Sequence, residues 1–278
     1  MIELPEFYVL ATQIDSVAAG KVIRRAIANA YPHAFASFSG DPKIYDAMLS
    51  GKSIEGSSLG AGITGGSYVE IRCGDMALIA GTPIRYHAPG ECIATKHQLL
   101  LEFDDASSLS FIVQMLGAIL CIPAADTVKS GGRHKLIPSP LDDAFNMEYF
   151  FHLLEEAKPT LSAKAFLTSD ERIPGLGNGV MHDILFNARI HPKRRIETFT
   201  QNNKERLYSS VKTTLRYMAE RGGRDTERDL YGAAGGYKTI LSSKMAGMPC
   251  RNCKKSIRKE MYLGGNIYFC PECQPISG

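Results

Sequence analysis

Apolar positions along the chain fall into two regimes. Residues 15–30 place Val17, Ala18, Val22, Ile23, Ala26, Ile27 and Ala30 on one stripe, with Lys21, Arg24 and Arg25 on another. That spacing predicts an amphipathic helix. Residues 34–122 carry short apolar runs instead, at 67–73, 76–79, 98–103 and 109–113, broken by Gly, Asp and Ser as in Cys73-Gly74-Asp75. Such a rhythm predicts an antiparallel sandwich or barrel. Inside it, residues 59–66 (LGAGITGG) lack the closing Gly-Lys-Ser/Thr of a phosphate loop and read as a hairpin tip. Residues 130–140 have the Gly, Ser and Pro content of a linker. Beyond it the helical period takes over, at 146–157, 162–167, 180–188 and 203–220. Between these helices Ile173-Pro174-Gly175-Leu176-Gly177-Asn178 turns into one, and Ile190-His191-Pro192 ends one.

Composition narrows the class. A chain of 278 residues, 44% apolar and 22% charged, buries a sizeable core as one large domain or two smaller ones. It carries no apolar stretch of the ~18 residues a membrane span needs and no secretory leader at its start. The expectation is a cytoplasmic protein with no membrane partner. The net charge of +3 conceals an asymmetry. Residues 1–150 hold 11 Lys and Arg against 16 Asp and Glu, whereas residues 151–278 hold 21 against 13. An acidic half of −5 is thus joined to a basic half of +8. A basic half of that size suits a polyanion, or serves only as a solvated surface.

The strongest chemical signal is four cysteines. Cys250 and Cys253 form one Cys-x2-Cys pair, Cys270 and Cys273 another, with sixteen residues between. Two such turns close a tetrahedron around a single zinc ion. Two disulfides are the alternative. The sequence between the pairs reads as a β-hairpin around Gly264-Gly265-Asn266, too small to bury a core of its own. With four cysteine ligands and no open position, the metal is structural. Lys254, Lys255, Arg258 and Lys259 fill the hairpin, as phosphate contacts or as solvated charge. Cys73, Cys92 and Cys121 sit among apolar strand residues and read as inert core positions.

Pro174-Gly175-Leu176-Gly177-Asn178 entering a helix offers backbone N–H groups to an anion, a weak signal alone. Taken with Leu185-Phe186-Asn187-Ala188-Arg189-Ile190-His191-Pro192, Gly235-Gly236-Tyr237, the closing Cys270-Pro271-Glu272-Cys273-Gln274 and the opening Glu3-Leu4-Pro5-Glu6, it resembles the formamidopyrimidine-DNA glycosylase / endonuclease VIII family of base-excision-repair enzymes. The resemblance spans essentially the whole chain. It implies an α+β protein: an N-terminal β-sandwich with flanking helices (1–130), a linker (131–145), a helical domain with a helix–two-turns–helix motif (146–245) and a zinc β-hairpin (246–278). Duplex DNA, damaged or abasic, would run between the two domains of a monomeric, nucleoid-associated protein. Asn178 and Gly177 would hold a backbone phosphate, with Lys164 near the same phosphates and Arg258 and Lys259 as further contacts. A helix N-cap is the structural alternative for Asn178.

The catalytic pattern departs from that family. Its members use an N-terminal proline, freed by removal of the initiator, as the amine that attacks C1′ and forms a Schiff base. Here the second residue is Ile2, which retains Met1, while Glu3 keeps the place of the acid/base carboxylate. Ser67 stands near an expected lysine, and Gly265 where the zinc hairpin carries an arginine. Thr82, Gln114 and Leu116 stand where residues filling the void of a flipped base belong. Two functions follow. One is a binding protein, a pseudoenzyme that keeps the DNA-holding parts and loses base excision. The other is an active glycosylase/AP lyase that uses the Met1 α-amine, with Glu3 as acid/base. The departures favour the first.

Overall fold

The computed structural model describes residues 1–64, 66–93, 96–130 and 137–276. The described residues fall into two compact units. The first takes residues 2–130 and, from far along the chain, 222–235; the second takes 137–221 and 236–276, with Met1. The predicted linker lies partly outside the described residues, at 131–136.

The first unit opens with helix α1 (Leu4–Ala18), followed by strands β1 (Ile23–Ala28) and β2 (Ala36–Phe38) and a short helix α2 (Tyr45–Leu49). Strands β3 (Ile54–Ala61), β4 (Ser67–Cys73), β5 (Met76–Ala80), β6 (Ile84–His87), β7 (Leu99–Phe103), β8 (Ser108–Phe111) and β9 (Gly117–Pro123) come next, then helix α3 (Ala124–Ser130). They make two sheets, β1-β7-β8-β6 and β2-β9-β5-β4-β3, antiparallel throughout except for β2 beside β9. One core receives Ile23, Leu101, Phe103, Leu109 and Phe111 from the first sheet and Val69, Ile71, Leu78 and Ile119 from the second, closed by Phe7, Leu10 and Ile14 of α1. The period of two puts Tyr68, Ala77 and Ile79 on the opposite face of the second sheet, in a small cluster of their own. The architecture is a sandwich, as the apolar runs predict.

The helix predicted at 15–30 is not there. α1 ends at Ala18, Gly20 turns the chain at φ +83°, and residues 23–28 are strand. The cause is a register shift between Ile23 and Arg25 in the pairing of β1 with β7. The bulge leaves Arg24 and Arg25 both exposed, so the buried positions Ile23 and Ala26 stand three residues apart and imitate a helical stripe.

The second unit holds helices α4 (Met147–Glu156), α5 (Ala163–Thr168), α6 (Asn178–Ala188) and α7 (Gln201–Glu220), and a hairpin of β10 (Arg258–Tyr262) and β11 (Gly265–Phe269). Asn146, Ser162 and Thr200 cap three of the helices with side-chain oxygens. Two turns join α5 to α6. Asp170 and Glu171 are left-handed in the first, and Leu176 N–H donates to the Ile173 carbonyl at 3.3 Å in the second. Phe150, Phe166, Met181, Leu185, Leu207 and Val211 form the core, which also takes Ile267 and Phe269 of the hairpin. Buried Asp183 on α6 accepts from the N–H groups of Ile240 (2.9 Å) and Leu241 (2.8 Å). Gln274 receives Cys270 N–H at 3.0 Å and donates to the Ile190 carbonyl at 2.9 Å, fastening the hairpin to the end of α6.

Candidate nucleic-acid interface and metal centre

The four predicted metal-binding cysteines are brought together in the second unit. Their sulfurs all lie within 4.8 Å of one another, Cys250 Sγ 3.8 Å from Cys273 Sγ and Cys253 Sγ 3.3 Å from Cys270 Sγ. Each close contact pairs a cysteine from one turn with one from the other, and all four are free thiols. Lys254, left-handed at φ 66°, donates its N–H to the Cys250 carbonyl at 2.9 Å, and Gln274 N–H closes the second turn onto Cys270 O at 3.0 Å. Zinc–sulfur bonds of ~2.3 Å place the corners of a tetrahedron ~3.8 Å apart, and this donor set meets that requirement with small adjustment. The hairpin between the pairs turns at Leu263 and Gly264, both left-handed, one residue earlier than Gly264-Gly265-Asn266 suggests. Gly265 therefore pairs with Tyr262 as the first residue of β11.

That register sets Gly265 against two of the predicted phosphate-holding residues. A Cβ at Gly265 would lie 3.1 Å from Asn178 Nδ2 and 3.7 Å from Lys164 Nζ. Asn178 is exposed and stands at the first turn of α6; Gly177, not Asn178, takes the N-cap, so the capping alternative for Asn178 does not apply. Lys164 is buried on α5, donates Nζ–H to the Tyr262 carbonyl at 2.7 Å, and is held below the usual lysine range by burial. An amide and an ammonium thus converge beside a residue with no side chain. Arg258 and Lys259 project into solvent at the start of β10.

The remaining predicted positions belong to the first unit, except Met1, which falls with the second. Ile2 is buried in the sandwich core, whereas Met1 is 67% exposed. Glu3 is the N-cap of α1 and forms a capping box with Glu6. Thr82 is buried and donates Oγ1–H to the Ile112 carbonyl at 2.5 Å, tying the turn before β6 to the segment after β8. Gln114 and Leu116 are exposed, and between them Met115 is 67% exposed, an apolar tip that sequence reading passed over. Cys73 and Cys121 are core thiols as expected, burial pushing each up to about 12. Cys92 is exposed, contrary to expectation, because it sits in the loop between β6 and β7. Sequence reading also missed Arg224, whose guanidinium lies against Glu3 and Glu6. Nothing in the spacing of residues more than 200 positions apart could have joined them.

Residues 136–229 match the family model described as the formamidopyrimidine-DNA glycosylase H2TH domain. A formamidopyrimidine-DNA glycosylase of Prochlorococcus marinus is 30% identical over 191 residues, covering 66% of this chain and 67% of that protein. The chain belongs to the formamidopyrimidine-DNA glycosylase / endonuclease VIII family. An Enterococcus faecalis member is 24% identical over 286 aligned positions, 100% of this chain and 99% of that one. The fold agrees. The crystal structure of MutM (Fpg) from Thermus thermophilus matches with a TM-score of 0.79 at 22% identity, covering 99% of both chains. Lactococcus lactis Fpg in complex with abasic-site DNA matches with a TM-score of 0.84 at 23% identity, covering 98% of this chain and 99% of that one. Family membership accounts for the helix–two-turns–helix and the cysteine cluster in one chain. Among the described residues no helix is long and apolar enough to cross a membrane.

Proposed function

We propose that this chain binds duplex DNA at damaged or abasic nucleotides within base excision repair, and that base excision through an N-terminal proline is lost from it. The observation that carries the binding part is the convergence of the Asn178 amide and the Lys164 ammonium beside Gly265. Such a pair suits one backbone phosphate and fixes the register of a duplex without reading its sequence. Arg258 and Lys259, and the basic balance of residues 151–278, extend the same electrostatic surface. The Lactococcus lactis relative is bound to abasic-site DNA, which supports that choice of ligand. Cys250, Cys253, Cys270 and Cys273 would hold one structural zinc ion, whose part is to keep the hairpin folded against α5 and α6.

The loss of excision rests on Ile2. An aliphatic residue replaces the secondary amine, and its side chain is committed to the sandwich core. Gly265 removes one further guanidinium contact to DNA, and Thr82 is tied to the Ile112 carbonyl rather than free to fill the space of an extruded base. The second reading, a lyase using the Met1 α-amine with Glu3 as acid/base, draws on the exposure of Met1. Its amine would stand one residue, ~3.5 Å, from the place of the family's proline, and catalysis is sensitive to misplacements of that size.

Borohydride reduction of the protein on abasic-site DNA separates the two. Tight binding in a gel shift without a covalent adduct is expected. An adduct that disappears when the N-terminus is blocked would replace the binding reading with the lyase reading.

A further inference from the structure

Glu3 is fixed by a buried charge cluster within the first unit. Arg224, brought there by the return of residues 222–235, is nearly fully buried. Its Nε donates to Glu6 Oε1 at 3.0 Å, its Nη2 to Glu6 Oε2 at 2.7 Å and its backbone N–H to Glu6 Oε1 at 3.0 Å. Its Nη1 stands 3.6 Å from Glu3 Oε1. Glu6 Oε2 also accepts the Glu3 N–H, at 2.9 Å, so backbone and side chain of Glu3 are both anchored to the same cluster. Burial acts to lower the Arg224 pKa, but the carboxylates of Glu3 and Glu6, with Glu227 behind them, outweigh it and leave it raised. The backbone is shaped for this: Gly223 is left-handed at φ +92°, and a Cβ there would press on Glu6 Cγ at 3.3 Å.

We propose that Arg224 is a positioning residue for Glu3, holding its carboxylate as an oriented anion at the start of α1. An opposite charge at this distance favours the ionised form of a carboxyl group. The inference rests on the reading of Glu3 as the carboxylate that faces a bound nucleotide. On that reading, Arg224 sets the direction in which the Glu3 carboxylate meets the nucleotide, a contribution separate from the replacement at Ile2.

The test is a carboxyl-carbon NMR titration of the full-length, zinc-loaded protein. Arg224→Gln should raise the Glu3 midpoint by ~1 to 3 pH units, and Arg224→Lys should restore most of the parental value. If Arg224→Gln leaves Glu6 unpaired and the chain fails to fold, Arg224→Gln/Glu6→Gln is compared with Glu6→Gln alone, and the same rise is expected. A Glu3 midpoint that does not move when the guanidinium is removed, or that is the same in Arg224→Lys as in Arg224→Gln, overturns the proposal. A gel shift on duplex DNA carrying a tetrahydrofuran abasic analogue is run on the parent protein beside it. Failure there would remove the DNA-binding reading and leave the titration result standing.

Discussion

Gly265 decides what Asn178 and Lys164 can do. A side chain there would occupy the position on which both polar groups converge; under the proposed function, glycine leaves them to meet a phosphate together. Asn178→Ala should weaken binding to abasic-site duplex DNA about tenfold or more, the range of one hydrogen bond to a charged partner, measured by gel shift. Lys164→Met should lower the slope of log affinity against log salt by ~0.9, one phosphate contact. Lys164 also makes a prediction about stability. Its pKa is lower in the folded chain than the ordinary 10.5, because burial disfavours the ammonium. The unfolded chain therefore binds more protons between the two values, and the penalty fades as pH rises toward 10.5. Denaturant titrations should show the parent gaining stability relative to Lys164→Met as pH rises from neutral toward 10.5. A difference independent of pH would contradict the buried-ammonium account.

Among elements, those set by local chemistry were legible and those set by distant packing were not. Asn146, Ser162 and Thr200 each precede a periodic run and cap it, so α4, α5 and α7 begin where the sequence places them to within two residues. The sandwich strands β4 and β5 follow the apolar runs almost residue for residue. The bulge in β1 was invisible because its two outward arginines reproduce a helical spacing. In α1, Leu4, Phe7, Leu10, Ala11, Ile14 and Ala18 share one buried helical face, a stripe that sequence reading passed over. The cysteine-flanked hairpin lies between these cases. Its four cysteines were legible, but not Gln274, which links the Cys270 N–H to the Ile190 carbonyl at the end of α6. Gln274→Ala should cost ~1 to 3 kcal/mol of local stability by leaving a buried N–H and a buried carbonyl unpaired. Hydrogen exchange should show faster opening of β10 and β11, and a chelator should strip the metal at lower concentration than from the parent. Chelation of the parent should itself abolish the protection of the hairpin; unchanged protection would exclude a structural metal.

At the scale of the whole chain, the small net charge and the linear order of domains both mislead. Charge becomes informative only when the acidic and basic halves are separated, and the residues proposed to hold phosphates and the cysteines lie in the basic one. Domain order misleads because residues 222–235 complete the sandwich rather than the helical unit that precedes them in sequence. The excursion begins and ends at one place in the second unit, where Gly236 N–H donates to the Arg221 carbonyl at 2.8 Å. Its ends cross so closely that a Cβ at Gly235 would fall 2.2 Å from the Gly223 carbonyl oxygen, which only glycine permits. Between them Leu230 is fully buried in the sandwich core, its N–H accepted by Gln13 Oε1 at 2.9 Å, and Arg224 pairs with Glu3 and Glu6. A fragment ending at residue 136 would therefore expose a core position and leave two buried carboxylates without their cation, an arrangement that costs several kcal/mol. Such a fragment should show no cooperative thermal transition, whereas the same fragment with residues 222–235 supplied through a flexible linker should regain one. A cooperative transition in the shorter fragment, with equal stability, would mean that the sandwich does not depend on the returning segment.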